Sequence, residues 1–321
     1  MKLKPDWSHL ENAYRRRFVF PANMAHMAKL SRHFSLKTLA DDRLAVCWEG
    51  EEVARIKHIS LMAGTCSGRV WIVANGPSLA QLNLTSLHDE AFFGVNGAIV
   101  KLMQEGIVPE HYVITDPSFF KQRFNLVRNA LGVGRKFYFT FHALDFICRQ
   151  DPRLLREKDI YLYELVNYGY NEPVLEDAEL QERLRKQDGL RVARPWRDYR
   201  VGYSTDCAKG VFGGRTVTFQ AMQLAQYFGY QSMYVLGMDM GAQQGQARFY
   251  EGAGQPPRSS KLDRDFERII LPAFEVARQV WEDTGVQAFN VSPHSRMPHS
   301  VMPKVSFEDV LGSLPSIRMG K

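Results

Sequence analysis

From Arg69 onward the chain repeats one pattern: a short apolar run rich in β-branched and aromatic residues, a polar or glycine-bearing break, then a segment with helical spacing. RVWIVANGPSL, AFFGVNGAIVKLMQEG, HYVITDPSFF, KFYFTFHAL, GGRTVTFQAMQLAQYFGY with QSMYVLGMDMG, and VQAFNVSPHSRMP follow one another in this order. Strands that alternate with helices predict a mostly parallel sheet flanked by helices, an α/β, Rossmann-like fold. KFYFTFHAL reads as a strand throughout. KLDRDFERIILPAFEVARQVWEDTG reads as one long amphipathic helix kinked at Pro272, and Ser306 with Asp309 reads as a capping box opening a last helix.

Residues 1–68 lack this alternation and are expected to form a basic accessory region, with helical spacing over Pro21–Leu39 and short strands over 43–62. Residues 69–300 are expected to form the sheet domain. A lid-like insertion at about 150–205 interrupts it, marked by charged helical patches and by Tyr161, Tyr163, Tyr168 and Tyr170. Residues 301–321 are expected to form a C-terminal helix and tail. A chain of 321 residues buries a sizeable core without staples. With 45% apolar and 24% charged residues it is neither a disordered chain nor a fibre.

No run approaches the roughly 18 apolar residues of a membrane span. The first residues lack the apolar core of about 7–15 residues that marks a secretory signal. Cys47, Cys66, Cys148 and Cys207 are far apart and form no C-x-x-C pair, so neither a zinc site nor a disulfide framework is expected. Reduced thiols and a cytoplasmic location follow as expectations.

The net charge is +6, and the excess is concentrated at the N-terminus. Within residues 1–40 eight basic side chains, Arg15, Arg16 and Arg17 among them, face only Asp6 and Glu11. That imbalance suits an anionic partner or a merely solvated basic face. A peripheral position at an anionic membrane surface is one expectation. A nucleic-acid partner is not expected, because no helix-turn-helix, RNP or zinc-finger pattern accompanies the charge.

Open α/β sheets bind ligands at the carboxyl ends of their strands. Five strand ends here carry polar or glycine-rich breaks: Asn75-Gly76-Pro77-Ser78, Asn96-Gly97, Thr115-Asp116-Pro117, Gly237-Met238-Asp239 and Ser292-Pro293-His294. If the sheet is parallel, all five share one rim. The Asn75–Ser78 turn is either a backbone cradle for phosphate or a plain strand-to-helix turn. Gly213 and Gly214, ahead of a helix that begins near Thr216 and Thr218, pose the same choice. Asp116 and Asp239 are placed to bind a hydroxyl or metal or to take a proton, or else to cap a turn. His294 is either a catalytic base or a surface histidine.

In order and in wording, VWIVANGPSL, FFGVNGAIV, YVITDPSFF, GGRTVTFQAMQLAQYFGYQSMYVLGMDM and AFNVSPHSRM resemble the bacterial CMP-sialic-acid-dependent sialyltransferases. They also resemble a related domain of motility-associated flagellin glycosyltransferases and of 6-hydroxymethylpterin pyrophosphokinase-like proteins. The likeness spans roughly 69–300 and implies a GT-A-like variant of the α/β fold. It implies a CMP-sugar donor held by Asn75, Gly76, Pro77, Ser78 and Asn96, with further contacts from Asp116, Gly213, Gly214, Thr216 and Thr218. Asp116 stands where that family has Asn. Gly241 replaces a tyrosine of the family, which leaves Tyr250 as the loop tyrosine. The family's histidine base has no counterpart within 251–265, so Asp239 and His294 are ranked as bases ahead of Asp116.

What the likeness implies is transfer of an acidic ulosonate, 3-deoxy-manno-octulosonate (Kdo) or a sialic acid, from its CMP donor to lipopolysaccharide or another surface glycan, with no cofactor and no metal. The alternative is a pterin-type pyrophosphokinase using ATP, with Mg²⁺ held by Asp116 and Asp239.

Overall fold

The structure, a computed structural model, describes residues 19–240, 248–250 and 262–313. Arg15–Arg17 and Gly241 lie outside the described residues. Twelve strands are present among them: β1 (Phe34–Thr38), β2 (Arg43–Trp48), β3 (Glu51–His58), β4 (Arg69–Val73), β5 (Phe92–Val95), β6 (His111–Val113), β7 (Lys136–Phe139), β8 (Asp159–Leu162), β9 (Leu190–Val192), β10 (Gly202–Ser204), β11 (Ser232–Leu236) and β12 (Gln287–Asn290). Ten of them form one sheet in the order β1-β2-β3-β8-β7-β6-β5-β4-β11-β12. From β3 to β12 every pairing is parallel, while β1 and β2 add antiparallel edges. The α/β, mostly parallel architecture read from the alternation is the one observed.

The strands are short and apolar because both faces are covered. Alternate residues of one strand enter two different cores. Val70, Ile72, Phe93, Val95 and Val235 pack on the side of helix Val217–Phe228. Trp71, Val73, Phe92, Tyr112 and Leu236 pack on the other side.

Three local readings change. The span 21–39 is not a helix. Two single 3₁₀ turns, Ala22–Met24 and Met27–Lys29, precede β1, whose residues pair with β2 from Phe34↔Trp48 to Thr38↔Leu44. The apolar stripe arose from turns that bury Met27, Ala28 and Leu30 beneath the hairpin. Residues 34–58 thus continue the main sheet, joined through β3 to β8. The segment 136–144 is not all strand: Thr140 caps a helix, Phe141–Gln150, by accepting from the Ala143 amide. The helix near Pro272 has a π turn, Phe266–Ile270, leading into Leu271–Thr284. Proline donates no amide hydrogen, and the wider turn spans the missing bond. The expected insertion opens with β8 of the main sheet and continues through helix Asp177–Arg185 to the β9–β10 pair. Ser306 does cap helix Phe307–Ser313, accepting from the Asp309 amide.

Beneath the sheet, His111 is fully buried between the hydroxyls of Tyr138 (2.8 Å) and Tyr230 (2.9 Å). Burial holds its pKa down at about 3. The native state therefore keeps His111 neutral, while the unfolded chain protonates below its ordinary value of 6.5. Stability from this group is complete above pH 6.5 and falls as the pH drops toward 3. Between pH 7 and pH 5 the loss is expected to be about 2 kcal/mol. Chemical denaturation at both pH values checks this: His111→Gln should show a correspondingly smaller pH dependence, and an unchanged slope would remove the histidine from the account.

Candidate active site at the sheet switch point

Strand order reverses beside β4. From β4 the chain steps outward through β5, β6, β7 and β8, then returns through helix Val217–Phe228 to β11 on β4's other edge. Loops leaving β4 and β5 turn one way and the loop leaving β11 turns the other, and a crevice opens at their carboxyl ends.

The β4 and β11 loops stay paired beyond the strands. The Gly76 amide donates to Gly237 O at 2.7 Å, and the Ser78 amide donates to Asp239 Oδ2 at 2.8 Å. A Cβ at position 76 would lie 2.4 Å from Asp239 Oδ2 and 2.6 Å from Gly237 O, so only glycine permits this approach. Pro77 opens a 3₁₀ turn, Pro77–Gln81, where its missing amide hydrogen costs nothing. Ser78 Oγ meets Ser292 Oγ at 3.1 Å, and Ser292 Oγ accepts from the Met238 amide.

Asn75 donates from Nδ2 to Val95 O across to β5 at 3.2 Å. Asn96 adopts φ +46°, an uncommon backbone for a non-glycine residue. Tyr112 secures it by donating to Asn96 O at 2.7 Å while accepting from the Ile99 amide. The Oδ1 atoms of Asn75, Asn96 and Asp239 are all buried, and none has a hydrogen-bond partner among the described residues. A buried acceptor left unpaired costs about 1–3 kcal/mol. Three within one crevice mark a place built to receive hydrogen-bond donors.

Tyr250 closes this side. Its ring lies where a Cβ of Gly97 would fall, 2.2 Å from Cε1. The preceding Phe249 amide donates to Asn75 O at 3.1 Å. On the β12 side the histidine and serines of Ser292–Ser295 face opposite ways. His294 is exposed, whereas Ser292 and Ser295 are buried. Ser295 Oγ donates to Met238 O at 2.6 Å, and the Arg296 amide donates to Asp239 O at 2.9 Å. Sequence reasoning placed Ser292 in this break but gave a role only to His294, and assigned none to Ser292 or Ser295. Their signal was available: two hydroxyls bracketing a turn directly after a buried strand.

The Gly213–Thr218 segment sits at the same rim, because helix Val217–Phe228 runs antiparallel to the strands it covers. Its N-cap, Thr216, makes no side-chain capping bond, which leaves first-turn amides without a capping side chain. Thr218 is buried. Gln223, also missed, fixes the segment. Its Oε1 accepts from Ser204 N and Phe212 N, and its Nε2 donates to Phe212 O and Phe219 O. Tyr163, kept protonated by burial, hydrogen bonds Thr115 and donates to Gln220. The helix start is thereby tied to the end of β6.

Asp116 has a different environment. It caps helix Pro117–Gln122, accepting from the Ser118 amide at 2.8 Å and the Ser118 hydroxyl at 2.7 Å. It follows β6 while Asp239 follows β11, three strands away, or roughly 14 Å at the usual strand spacing. The two carboxylates therefore cannot hold one ion between them.

This rim belongs to a chain that matches known proteins over most of its length. A search of solved structures finds the MAf glycosyltransferase from Magnetospirillum magneticum AMB-1, at 16% identity and a TM-score of 0.44. That match covers 79% of this chain and 34% of that one, so the chain spans about a third of that protein. Among curated proteins, a "Probable 3-deoxy-manno-octulosonic acid transferase" of Escherichia coli (strain K12) is 23% identical over 254 residues, covering 78% of this chain and 87% of that protein. A protein of the same description from Salmonella typhimurium is 23% identical over 249 residues, covering 74% and 87%. The likeness to sialyltransferases narrows accordingly to the level of glycosyltransferases. The model of the family described as 3-deoxy-D-manno-octulosonic acid transferase WaaZ matches residues 53–308, and the chain is a member of that glycosyltransferase family.

Proposed function

We propose that this protein transfers a 3-deoxy-octulosonate-type acidic sugar from a CMP-sugar donor to a hydroxyl of bacterial lipopolysaccharide or a related surface glycan. The observation that carries the donor assignment is the pair of buried carboxamide oxygens, Asn75 Oδ1 and Asn96 Oδ1, that have no hydrogen-bond partner among the described residues. Carboxyl and carboxamide oxygens repel phosphate but accept from ribose hydroxyls and from a cytosine amino group. The donor's phosphate goes to the first-turn amides of Val217 and Thr218, where the helix dipole favours negative charge. As the bond between the anomeric carbon and the phosphate oxygen breaks, charge grows on CMP, and these amides stabilise it. The attacking glycan hydroxyl loses its proton to Asp239 Oδ1. The basic residues within 1–40 draw the chain toward a lipid-linked acceptor at an anionic surface, by about 1 kcal/mol per basic side chain near the surface.

The direct test is CMP release from CMP-Kdo and from CMP-sialic acid in the presence of a lipopolysaccharide acceptor. Release from CMP-Kdo with labelled sugar on the acceptor is the expected result. No release from either donor would overturn the proposal. Asn75→Ala and Ser78→Ala should each weaken CMP binding by up to about tenfold, the value of one hydrogen bond, and leave the far-ultraviolet circular dichroism unchanged. Native-like affinity in both variants would remove this turn from the nucleotide site.

A further inference from the structure

On the flank of the molecule, between β9 with its following loop and helix Leu271–Thr284, lies a cavity of about 470 Å³. Val192, Ala193, Pro272 and Val276 give it an apolar floor, and Arg191, Arg194 and Arg197 supply its charge. Glu275 is the one carboxylate of the lining. Arg191 is shared with Asp283 at 2.8 Å. Arg194 and Arg197 are exposed and have no carboxylate partner among the described residues. Trp196, between them in the sequence, lies behind the lining with its indole N–H buried. Unpaired guanidinium forks beside Val192, Ala193, Pro272 and Val276 form a donor-rich pocket, suited to an anion carried on a larger, partly apolar body.

The cavity also has a fixed relation to the rim. The helix that lines it begins against the site: Arg296, whose amide holds Asp239 O, pairs through its side chain with Glu267 at 2.9 Å. Eight residues separate Glu267 from Glu275, about 12 Å along a helix. A ligand spanning both places is an oligosaccharide rather than a single sugar.

We infer that this cavity binds a phosphate monoester carried on a saccharide of the acceptor glycan, one or more sugars away from the hydroxyl that is glycosylated. The identity of the ligand rests on the transferase reading above; the existence of an anion site does not. Phosphate receives paired hydrogen bonds from Arg194 and Arg197, and the sugar lies on the Pro272–Val276 floor. The arrangement favours phosphorylated over unphosphorylated acceptors.

The probes are glucosamine 1-phosphate, glucosamine, inorganic phosphate and phosphatidylglycerol vesicles, titrated against the full chain. Tryptophan emission is the readout, with Trp196→Phe identifying the contribution of that side chain. CMP affinity is measured on the same samples. The expected result is saturable binding of glucosamine 1-phosphate, weakened at least tenfold in Arg194→Ala/Arg197→Ala and partly retained in Arg194→Lys/Arg197→Lys, with CMP affinity unchanged throughout. Both arginines are exposed and unpaired, so the variants should fold. Equal binding by the native chain and the alanine variant would overturn the inference, as would equal binding of glucosamine and its phosphate. Inorganic phosphate binding as tightly as the sugar phosphate would make this a bare anion site, and binding to vesicles alone would make it a membrane contact; either result removes the glycan assignment. Sugar-phosphate binding without any CMP binding would count against the nucleotide reading and leave the cavity standing.

Discussion

Asp239→Asn should lower turnover at least about a hundredfold while leaving CMP affinity within a few fold of native. Asparagine keeps an oxygen for the Ser78 amide, which Asp239 Oδ2 now accepts at 2.8 Å, so the paired loops of β4 and β11 should hold. What disappears is the capacity of Oδ1 to take a proton. That oxygen is buried and has no partner among the described residues, on a residue anchored from both sides by the Ser78 and Arg296 amides. Steady-state CMP release beside calorimetric CMP binding separates the roles. Parallel losses in both would make Asp239 a ribose ligand. Full turnover in this variant, with His294→Gln inactive, would move the base to the exposed histidine.

The largest stability effect should come from Gln223→Leu. One side chain here makes four hydrogen bonds inside a fully buried environment. Leucine fills similar space but leaves Ser204 N–H, Phe212 N–H and Phe212 O without those bonds. At about 1–3 kcal/mol for each stranded group, the expected loss is about 3–5 kcal/mol in urea unfolding. Because Phe212 leads directly into Gly213 and Gly214, CMP binding should weaken along with stability. A loss below about 1 kcal/mol would show that water or a backbone shift replaces the glutamine.

The sheet was readable in the sequence because parallel strands buried on both faces leave an unmistakable pattern: short apolar runs, each closed by a polar break. The same breaks pointed to the rim, where Asn75, Gly76, Ser78, Asn96, Asp239 and Tyr250 now lie around one crevice. Other features could not be read so directly. The hairpin before Arg69 was obscured because β1 follows 3₁₀ turns whose apolar spacing imitates a helix. Strand order is absent from local spacing, so nothing in YVITDPSFF showed that Asp116 is a helix cap three strands from β11. The serines around His294 were overshadowed by a titratable neighbour. Gln223 was hidden because a polar residue within an amphipathic helix ordinarily faces solvent, and this one faces a bend of the chain 11 residues earlier.

A sheet that runs without a seam from β1 to β12 bears on how such chains can diversify. Phe34, Val46 and Ile56 of the first three strands share a core with Phe137, Ile160 and Leu162 of the later ones. Losing β1–β3 in an exchange between relatives would therefore strip the cover from β8 and offer its bare edge to any passing strand. New specificities are more accessible through the loops along the rim and the flank, where a side chain can change without disturbing a ladder. The unit of inheritance is then the whole sheet, and the unit of innovation is the single loop.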